Sequence, residues 1–153
     1  MSFKIIRNDI TKVRADAIVN TANPLPVIGS GTDAAVYTAA GSELLLEARK
    51  KIGVIDRGES QATESFDLKK NGVKYIIHTV GPIYTRYEKE SCRKFLQNCY
   101  KNCLDLARDN SIHSIAFPCI STGVYGFPKR KAAEIAVNTS IPTIFPQAAR
   151  PSW

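Results

Sequence analysis

A long loop-like stretch near the N-terminus combines amide side chains, small residues and a carboxylate. Amides donate and accept hydrogen bonds, so they suit the hydroxyl groups of a sugar. A carboxylate beside a sugar can orient or deprotonate a water molecule. The stretch therefore predicts water chemistry at a sugar, and the alternative is a loop that ends in an ordinary helix cap. In chain order, these residues are Asn20, Asn23, Gly29, Ser30, Gly31 and Asp33.

A second loop with phosphate-binding character lies near the C-terminus. Ser121, Thr122 and Gly123 precede a predicted helix that opens at Pro128. A helix N-terminus offers unpaired backbone N–H groups to an anion, and glycine lets the backbone approach a phosphate closely. The arm at residues 29–31 stands in the same position before a helix at Asp33. Two such loops predict a pyrophosphate ligand, and the alternative is a pair of ordinary turns.

Other common active-site patterns are weak or missing. A Walker loop requires Gly-Lys-Ser/Thr, and the sequence has Thr32 and Asp33 after Gly31. A dinucleotide-binding fingerprint matches only loosely from Gly29 to Ala34, too far beyond its strand. A nicotinamide-dependent dehydrogenase is therefore the last of the alternatives. No serine–histidine or cysteine–histidine arrangement supplies a covalent nucleophile.

The four cysteines and two histidines do not form a metal-binding motif. Cys92, Cys99 and Cys103 fall on one face of a predicted helix, where small apolar residues face a core. Cys119 stands apart, and neither histidine is near a cysteine pair with zinc spacing. We therefore expect no metal and no cofactor.

Composition limits the class of protein. The chain has 153 residues, a net charge of +7 and a hydrophobic fraction of 44%, which suits one domain with one core. A basic surface favours an anionic partner, so weak RNA binding is an alternative function. The chain has neither a membrane-length apolar run nor the apolar core of a signal peptide. These absences predict a cytoplasmic protein with no membrane partner.

Apolar runs alternate with helical periodicity along the chain. Alternating strands and helices predict an α/β fold with a largely parallel sheet, in which ligands bind beyond the carboxyl ends of the strands. Both candidate loops lie at such ends. The predicted strands are residues 3–7, 17–19, 61–66, 75–80 and 114–119, and the predicted helices are residues 33–51, 89–110 and one that opens at Pro128.

Five ordered segments together resemble the macrodomain family, and in particular its MacroD type. This resemblance covers roughly residues 3–139 and implies a three-layer α/β/α sandwich with a mixed, largely parallel central sheet. It also implies that ADP-ribose binds in a cleft at the strand ends. The family includes O-acetyl-ADP-ribose deacetylases and ADP-ribosyl-acceptor hydrolases. The matching segments are residues 8–11, 17–23, 29–33, 78–82 and 117–126.

The resemblance implies a binding role for each matching position. Asp9 would accept a hydrogen bond from the adenine amino group, with the Ile10 backbone beside it. Gly31 and its neighbours Gly29 and Ser30 would flank the phosphates and the distal ribose. The second loop would wrap the diphosphate, and its tyrosine ring would cover the distal ribose. That loop comprises Ser121, Thr122, Gly123, Val124 and Tyr125.

The resemblance also implies an ester hydrolase. Asn23 would bind a distal-ribose hydroxyl and Asp33 would position or activate water, while Asn20 would hold the loop together. The substrate would be O-acetyl-ADP-ribose or a mono-ADP-ribosylated acidic side chain on a protein. The alternative within the family is a reader module that binds ADP-ribose without catalysis.

The sequence departs from the family pattern at several positions. Ile28 and Ser30 stand where glycine is common, and Tyr37 replaces a histidine in the wall of the distal-ribose site. The usual last strand and helix are missing or altered. We divide the chain into a macrodomain at residues 1–140 and a proline-rich tail at residues 141–153. The loss of an interior strand predicts reduced stability or dimerisation.

Overall fold

A computed structural model describes residues 2–145, which form four strands and four α-helices. The strands are β1 (Ala17–Thr21), β2 (Ser60–Glu64), β3 (Tyr75–Thr79) and β4 (Ile115–Ala116). The α-helices are α1 (Thr32–Ala40), α2 (Ser42–Ile52), α3 (Lys89–Asp109) and α4 (Lys129–Ile144). Two 3₁₀ helices span Ile10–Lys12 and Phe66–Asn71. None of these helices within the described residues is long and apolar enough to cross a membrane.

The four strands form one mixed sheet in the order β2-β3-β1-β4. β1 pairs in parallel with β3 and with β4, whereas β2 pairs antiparallel with β3. The mixed, largely parallel sheet expected from the sequence is confirmed. Because β1 and β4 are parallel neighbours, the loops that follow them leave the same edge of the sheet. This arrangement brings the two candidate loops to one end of the domain.

Alternate residues of the central strands face two different layers of helices. Val19 and Ile77 pack in a core with α3 and α4, while Ile18 and Ile76 pack in a second core with α1 and α2. This alternation follows from the two-residue period of a β-strand. The three-layer sandwich is therefore confirmed. The predicted core face of α3 is also confirmed, because Cys92, Cys99 and Cys103 are buried.

The single helix predicted at residues 33–51 is wrong, because the chain breaks at Gly41. Gly41 has φ of +102°, a value that side-chain-bearing residues rarely adopt. Its N–H donates to the Tyr37 carbonyl, and its own carbonyl accepts from Leu45. The glycine therefore ends α1 and starts α2. The apolar periodicity continues across the break, which is why it predicted one helix.

The strand predicted at residues 3–7 is also wrong. This segment has no regular secondary structure, and its Ile5 is 85% exposed. A strand needs a neighbour to pair its backbone groups. β4 covers only two of the residues predicted at 114–119, and no strand within residues 2–145 pairs with its outer edge. The apolar pattern of residues 3–7 therefore does not form a strand, because no neighbouring strand within residues 2–145 pairs with this segment.

The last described helix continues past the boundary predicted at residue 140. α4 ends at Ile144 and contains Pro142 in its final turn. Within residues 2–145, no strand follows β4, which agrees with the predicted loss of the usual last strand. The remainder of the predicted tail, residues 146–153, lies outside the described residues. The two-part division and the predicted dimerisation stay predictions.

Two isoleucine substitutions test the assignment of the core. Ile77→Ala should lower the free energy of unfolding by about 2–5 kcal/mol, because Ile77 is fully buried and its loss leaves a cavity. Ile5→Ala is the matched control, and it should change this free energy by less than about 0.5 kcal/mol because Ile5 is exposed. Urea unfolding measures both. A large loss in Ile5→Ala would show that residues 3–7 pack into the fold.

Candidate active site

The carboxylate of Asp33 lies at the N-terminus of α1 and is fixed by two donors. Its Oδ2 accepts from the Gly29 backbone N–H at 2.6 Å, and its Oδ1 accepts from Asn20 Nδ2 at 2.7 Å. Asn20 belongs to β1, so the sheet, the loop and the helix meet at one side chain. Each carboxylate oxygen has a second lone pair that a water molecule can use. Asn20 therefore anchors the start of α1 to β1, and its role toward the loop and a ligand stays a prediction.

Burial controls the protonation of Asp33. The residue is 3% exposed, and its pKa is raised from the ordinary value of 3.8, chiefly because burial disfavours the charged form. The hydrogen bonds from Gly29 and Asn20 and the positive charge of Arg49 act in the opposite direction. The result is a carboxylate with increased basicity, which suits a group that must take or orient the proton of water.

Gly29 brings the two predicted catalytic residues together. A Cβ atom at this position would lie 2.7 Å from Asn23 Nδ2 and 3.2 Å from Asp33 Oδ2. Only glycine leaves room for both side chains. The Asn23 amide also donates to the Val27 carbonyl at 3.4 Å, which closes the loop on itself. Asn23 and Asp33 thus both lie against Gly29, and their shared catalytic role stays a prediction.

The glycine arm continues into α1 through Gly31. Gly31 has φ of +62° and directly precedes the helix. The first N–H groups of α1 have no partner within the helix, so this terminus can face an anion. Ile28 is 43% exposed at the start of the arm, and Ser30 is also exposed.

Arg49 is a site residue that the sequence did not reveal. Its side chain is fully buried, and its Nη2 donates to the carbonyls of Asn23 and Gly53, each at 3.3 Å. It therefore ties the loop that contains Asn23 to the end of α2. A basic residue in the last turn of a helix usually lies on the surface. Only its tertiary contacts distinguish Arg49 from Lys50 and Lys51, which follow it.

The second loop has the backbone geometry of an anion site. Ser121 is buried and has φ of +65°, and its carbonyl accepts from Phe127 N at 2.9 Å. The Thr122 hydroxyl donates to the Cys119 carbonyl at 2.8 Å. Among the described residues, the amides of Gly123 and Val124 donate to no backbone carbonyl. These N–H groups are therefore available to a phosphate.

Gly81 and Arg57 support the second loop from β3 and from the segment before β2. A Cβ atom on Gly81 would lie 2.2 Å from Ser121 Oγ, so the Ser121 side chain occupies the space that a side chain at position 81 would need. Arg57 Nη1 donates to the Gly81 carbonyl at 2.6 Å. Its guanidinium also lies 5.5 Å from the ring centre of Tyr125 and 5.6 Å from that of Tyr87. Arg57 thus positions Tyr125, and no motif in the sequence indicated it.

Tyr37 lies one helical turn after Asp33 and faces the core. The residue is fully buried and packs in the α1–α2 core with Ile18 and Val36. Its pKa is raised, first by burial and then by the negative charge of Asp33. Its proximity to Asp33 is therefore established, whereas its role in the ribose wall stays a prediction.

Asp9 caps the first 3₁₀ helix. Its Oδ1 accepts from the Thr11 N–H at 2.9 Å and from the Thr11 hydroxyl at 2.7 Å, and these bonds lower its pKa. The other carboxylate oxygen remains available for an adenine amino group. Ile10 packs against the core that contains α1, so this turn is anchored beside that helix. Its role in adenine binding stays a prediction.

No group of three or more potential metal ligands comes together in the described part of the chain.

Comparison with known proteins places this arrangement in a family. Residues 19–136, more than half of the chain, match the family described as "Macro domain". The chain belongs to the macrodomain family. The resemblance stated from the five sequence segments is therefore confirmed.

Relatives of this macrodomain include named enzymes. It is 48% identical over 135 residues to the human protein named ADP-ribose glycohydrolase MACROD2, and the match covers 88% of this chain and 31% of the relative. It is 47% identical to the O-acetyl-ADP-ribose deacetylase of Citrobacter rodentium, over 88% of this chain and 76% of the relative. This macrodomain therefore spans less than a third of the human relative.

The macrodomain also superposes on solved structures of the family. One is the Trypanosoma brucei macrodomain in complex with ADP-ribose, with a TM-score of 0.82 and 35% sequence identity. The superposition covers 93% of this chain and 57% of that chain.

Gly81→Ala tests the close approach that shapes the second loop. The added methyl group would overlap Ser121 Oγ, so unfolding free energy should fall by about 1–3 kcal/mol. Gly123→Ala is the matched control, because no atom lies within 4 Å of its Cβ position. The double variant Gly81→Ala/Ser121→Ala should recover part of the loss. Urea unfolding measures all three, and equal losses in the two glycine variants would contradict the assigned contact.

Proposed function

We propose that this macrodomain binds ADP-ribose and hydrolyses esters of its distal ribose. The observation that supports this most strongly is the Asp33 carboxylate, held by Gly29 and Asn20 beside Asn23 at the strand ends. The names of its relatives also support hydrolysis, because one is an ADP-ribose glycohydrolase and another is an O-acetyl-ADP-ribose deacetylase. The similar Trypanosoma brucei structure, which holds ADP-ribose, supports the ligand.

The diphosphate would bind between the two loops. The free amides of Gly123 and Val124 and the N-terminus of α1 supply N–H donors, which suit phosphate oxygens. The Tyr125 ring, held beside Arg57, would cover the distal ribose. Asp9 would accept from the adenine amino group through its free oxygen. Each of these contacts uses a group that the protein's own hydrogen bonds leave available.

The chemical step would be attack of water on the ester. In O-acetyl-ADP-ribose, the water oxygen would bond to the acetyl carbon while Asp33 takes or directs the proton that water loses. The bond from the acetyl carbon to the ribose oxygen would then break, and the ribose oxygen would recover a proton to become a hydroxyl. Asn23 would hold a neighbouring ribose hydroxyl, so catalysis relies on positioning and electrostatics.

The same site would accept ADP-ribose attached to an acidic side chain of a protein. The ester in such a substrate also joins a carboxyl group to the distal ribose, so the same water and the same carboxylate would serve. A reader module that binds without turnover is the competing function. The ionisable, buried Asp33 favours the hydrolase, because binding alone requires no basic group beside the ribose.

Asp33→Ala should separate binding from turnover. We expect kcat for acetate release from O-acetyl-ADP-ribose to fall by at least about 100-fold, with the Kd for ADP-ribose within about threefold of wild type. Asp16→Ala is the matched control, because Asp16 makes structural bonds to His113 N and Lys74 just before β1. It should keep full turnover. Calorimetry gives Kd, and a coupled acetate assay gives kcat.

Three outcomes of this experiment contradict the proposal. If the wild-type protein binds ADP-ribose but releases neither acetate from O-acetyl-ADP-ribose nor ADP-ribose from modified glutamate, it is a reader module. Parallel loss of binding and turnover in Asp33→Ala would assign Asp33 a structural role. Wild-type protein that fails to bind ADP-ribose at high micromolar concentration would remove the proposed ligand.

The pH dependence of kcat should report the ionisation of Asp33. The carboxylate must be charged, so activity is present above its pKa and is lost as the pH falls through it. Burial raises that pKa, and the acid limb should therefore have its midpoint above 3.8. Below the midpoint, kcat should fall about tenfold per pH unit. Steady-state kinetics with subtraction of spontaneous hydrolysis measures it, and a midpoint at or below the ordinary aspartate value would refute the assignment.

A further inference from the structure

A line of buried hydrogen bonds runs from Asp33 into the centre of the sheet. Asn20 Nδ2 donates to Asp33 Oδ1 and also contacts His78 Nδ1 at 3.1 Å. On the far side of the ring, His78 Nε2 lies 2.9 Å from Thr63 Oγ1. The Thr63 hydroxyl donates to the Glu64 carbonyl at 3.0 Å. The line therefore crosses β1, β3 and β2 in turn, and it ends on a backbone carbonyl.

Strand register explains why these side chains meet. Asn20 and His78 are directly opposite in the parallel pair of β1 and β3, and Thr63 is opposite Ile76 in the antiparallel pair of β2 and β3. Ile76 and His78 are two residues apart, so they face the same layer. All three polar side chains thus lie on the sheet face that α1 and α2 cover.

The hydrogen-bond chemistry fixes the position of every proton along this line. An amide nitrogen only donates, so Asn20 uses one N–H for Asp33 and the other for His78 Nδ1. Nδ1 must therefore be the acceptor, and Nε2 carries the ring proton and donates it to Thr63. The Thr63 proton is already directed to Glu64. This assignment requires a neutral ring, and burial with the charge of Arg49 lowers the pKa of His78 to about 3.

We propose that His78 is a positioning residue for Asp33 and acts through the Asn20 amide. Its Nδ1 fixes the amide so that N–H, and not the amide oxygen, faces the carboxylate. A reversed amide would place oxygen against oxygen, which repels. His78 is fully buried and would touch no ligand. This inference rests on the proposed function, because it concerns the same carboxylate.

An ordinary core role does not account for the same contacts. The residues two positions earlier on the same faces of β1 and β3 are Ile18 and Ile76, and both are aliphatic and fully buried. An aliphatic side chain in place of His78 would pack equally well but would leave one Asn20 N–H without an acceptor. A buried unpaired donor is unfavourable, which favours rotation of the amide. The imidazole of His78 therefore specifies the orientation of the Asn20 amide.

Two substitutions of His78 form a matched test. His78→Phe keeps a planar ring and removes the acceptor. We expect kcat to fall about 10- to 100-fold with the Kd for ADP-ribose within about threefold of wild type. His78→Gln offers an amide oxygen to Asn20 and an amide N–H to Thr63, so it should recover most of the lost kcat. Equal activity of wild type and His78→Phe would overturn the inference.

The titration of Asp33 provides a readout that a merely structural role would not change. The Asn20 hydrogen bond lowers the pKa of Asp33, so loss of that bond should raise it. In His78→Phe, the acid limb of kcat and the ¹³C titration of the Asp33 carboxyl should both move to higher pH. Arg49 on α2 and Tyr37 on α1 also influence the pKa of Asp33 or are influenced by its charge, and both residues are retained in the His78→Phe variant. An unmoved titration would overturn the inference.

Thr79→Val is the control for general damage to β3. Thr79 is buried and adjacent to His78, but its hydroxyl donates to the Glu59 carbonyl at 3.0 Å in a separate set of contacts. This variant should lose stability and keep the wild-type kcat and Asp33 titration. The same loss of kcat in Thr79→Val as in His78→Phe would overturn the positioning role.

Nitrogen NMR of the unmodified protein tests the inference without any substitution, should His78→Phe fail to fold. Long-range ¹H–¹⁵N spectra should show His78 protonated at Nε2 and bare at Nδ1, with no titration above pH of about 4. A proton on Nδ1 would overturn the inference. If the wild type lacks turnover, the proposed function fails, and the Asp33 titration and the ring tautomer still decide the positioning role.

Discussion

The buried carboxylate of Asp33 is the constraint on which the rest of the site depends. Removing a charge from water is unfavourable unless hydrogen bonds and nearby opposite charge compensate for it. Here the compensation comes from Gly29 in the loop, Asn20 in β1 and the charge of Arg49 in α2. The loop, β1 and α2 must therefore keep their positions relative to Asp33. The incomplete compensation leaves the pKa of Asp33 raised, and this is the property that catalysis would use.

Small residues determine how closely the surrounding loops approach. Gly29 admits Asn23 beside the carboxylate, and Gly81 admits the Ser121 side chain of the second loop. Arg49 and Arg57 then hold these loops through hydrogen bonds to backbone carbonyls. The close packing at these glycines and the hydrogen bonds from the arginines to backbone carbonyls preorganise the site for a ligand. Such preorganisation reduces the entropy that binding would otherwise lose.

The sequence predicted those features that depend on local pattern or on an ordered set of motifs. Continuous apolar runs located β1 and β3, and five motifs located the family. Local pattern failed where long-range pairing decides, as at residues 3–7, which have no neighbouring strand, and at Gly41, whose backbone angle splits a periodic segment. Arg49 and His78 were missed because their types predict a surface charge and an ordinary core histidine. Only strand register and burial reveal their partners.

The most direct test of the account is the ¹³C titration of the Asp33 carboxyl with and without saturating ADP-ribose. We predict a pKa above 3.8 in the free protein, because burial outweighs the two hydrogen bonds. Bound ADP-ribose should raise the pKa further, since its phosphates are negative and its ribose displaces water. A pKa at or below 3.8 in the free protein would contradict the electrostatics of the site. A pKa that does not change when ADP-ribose binds would contradict the position of the site.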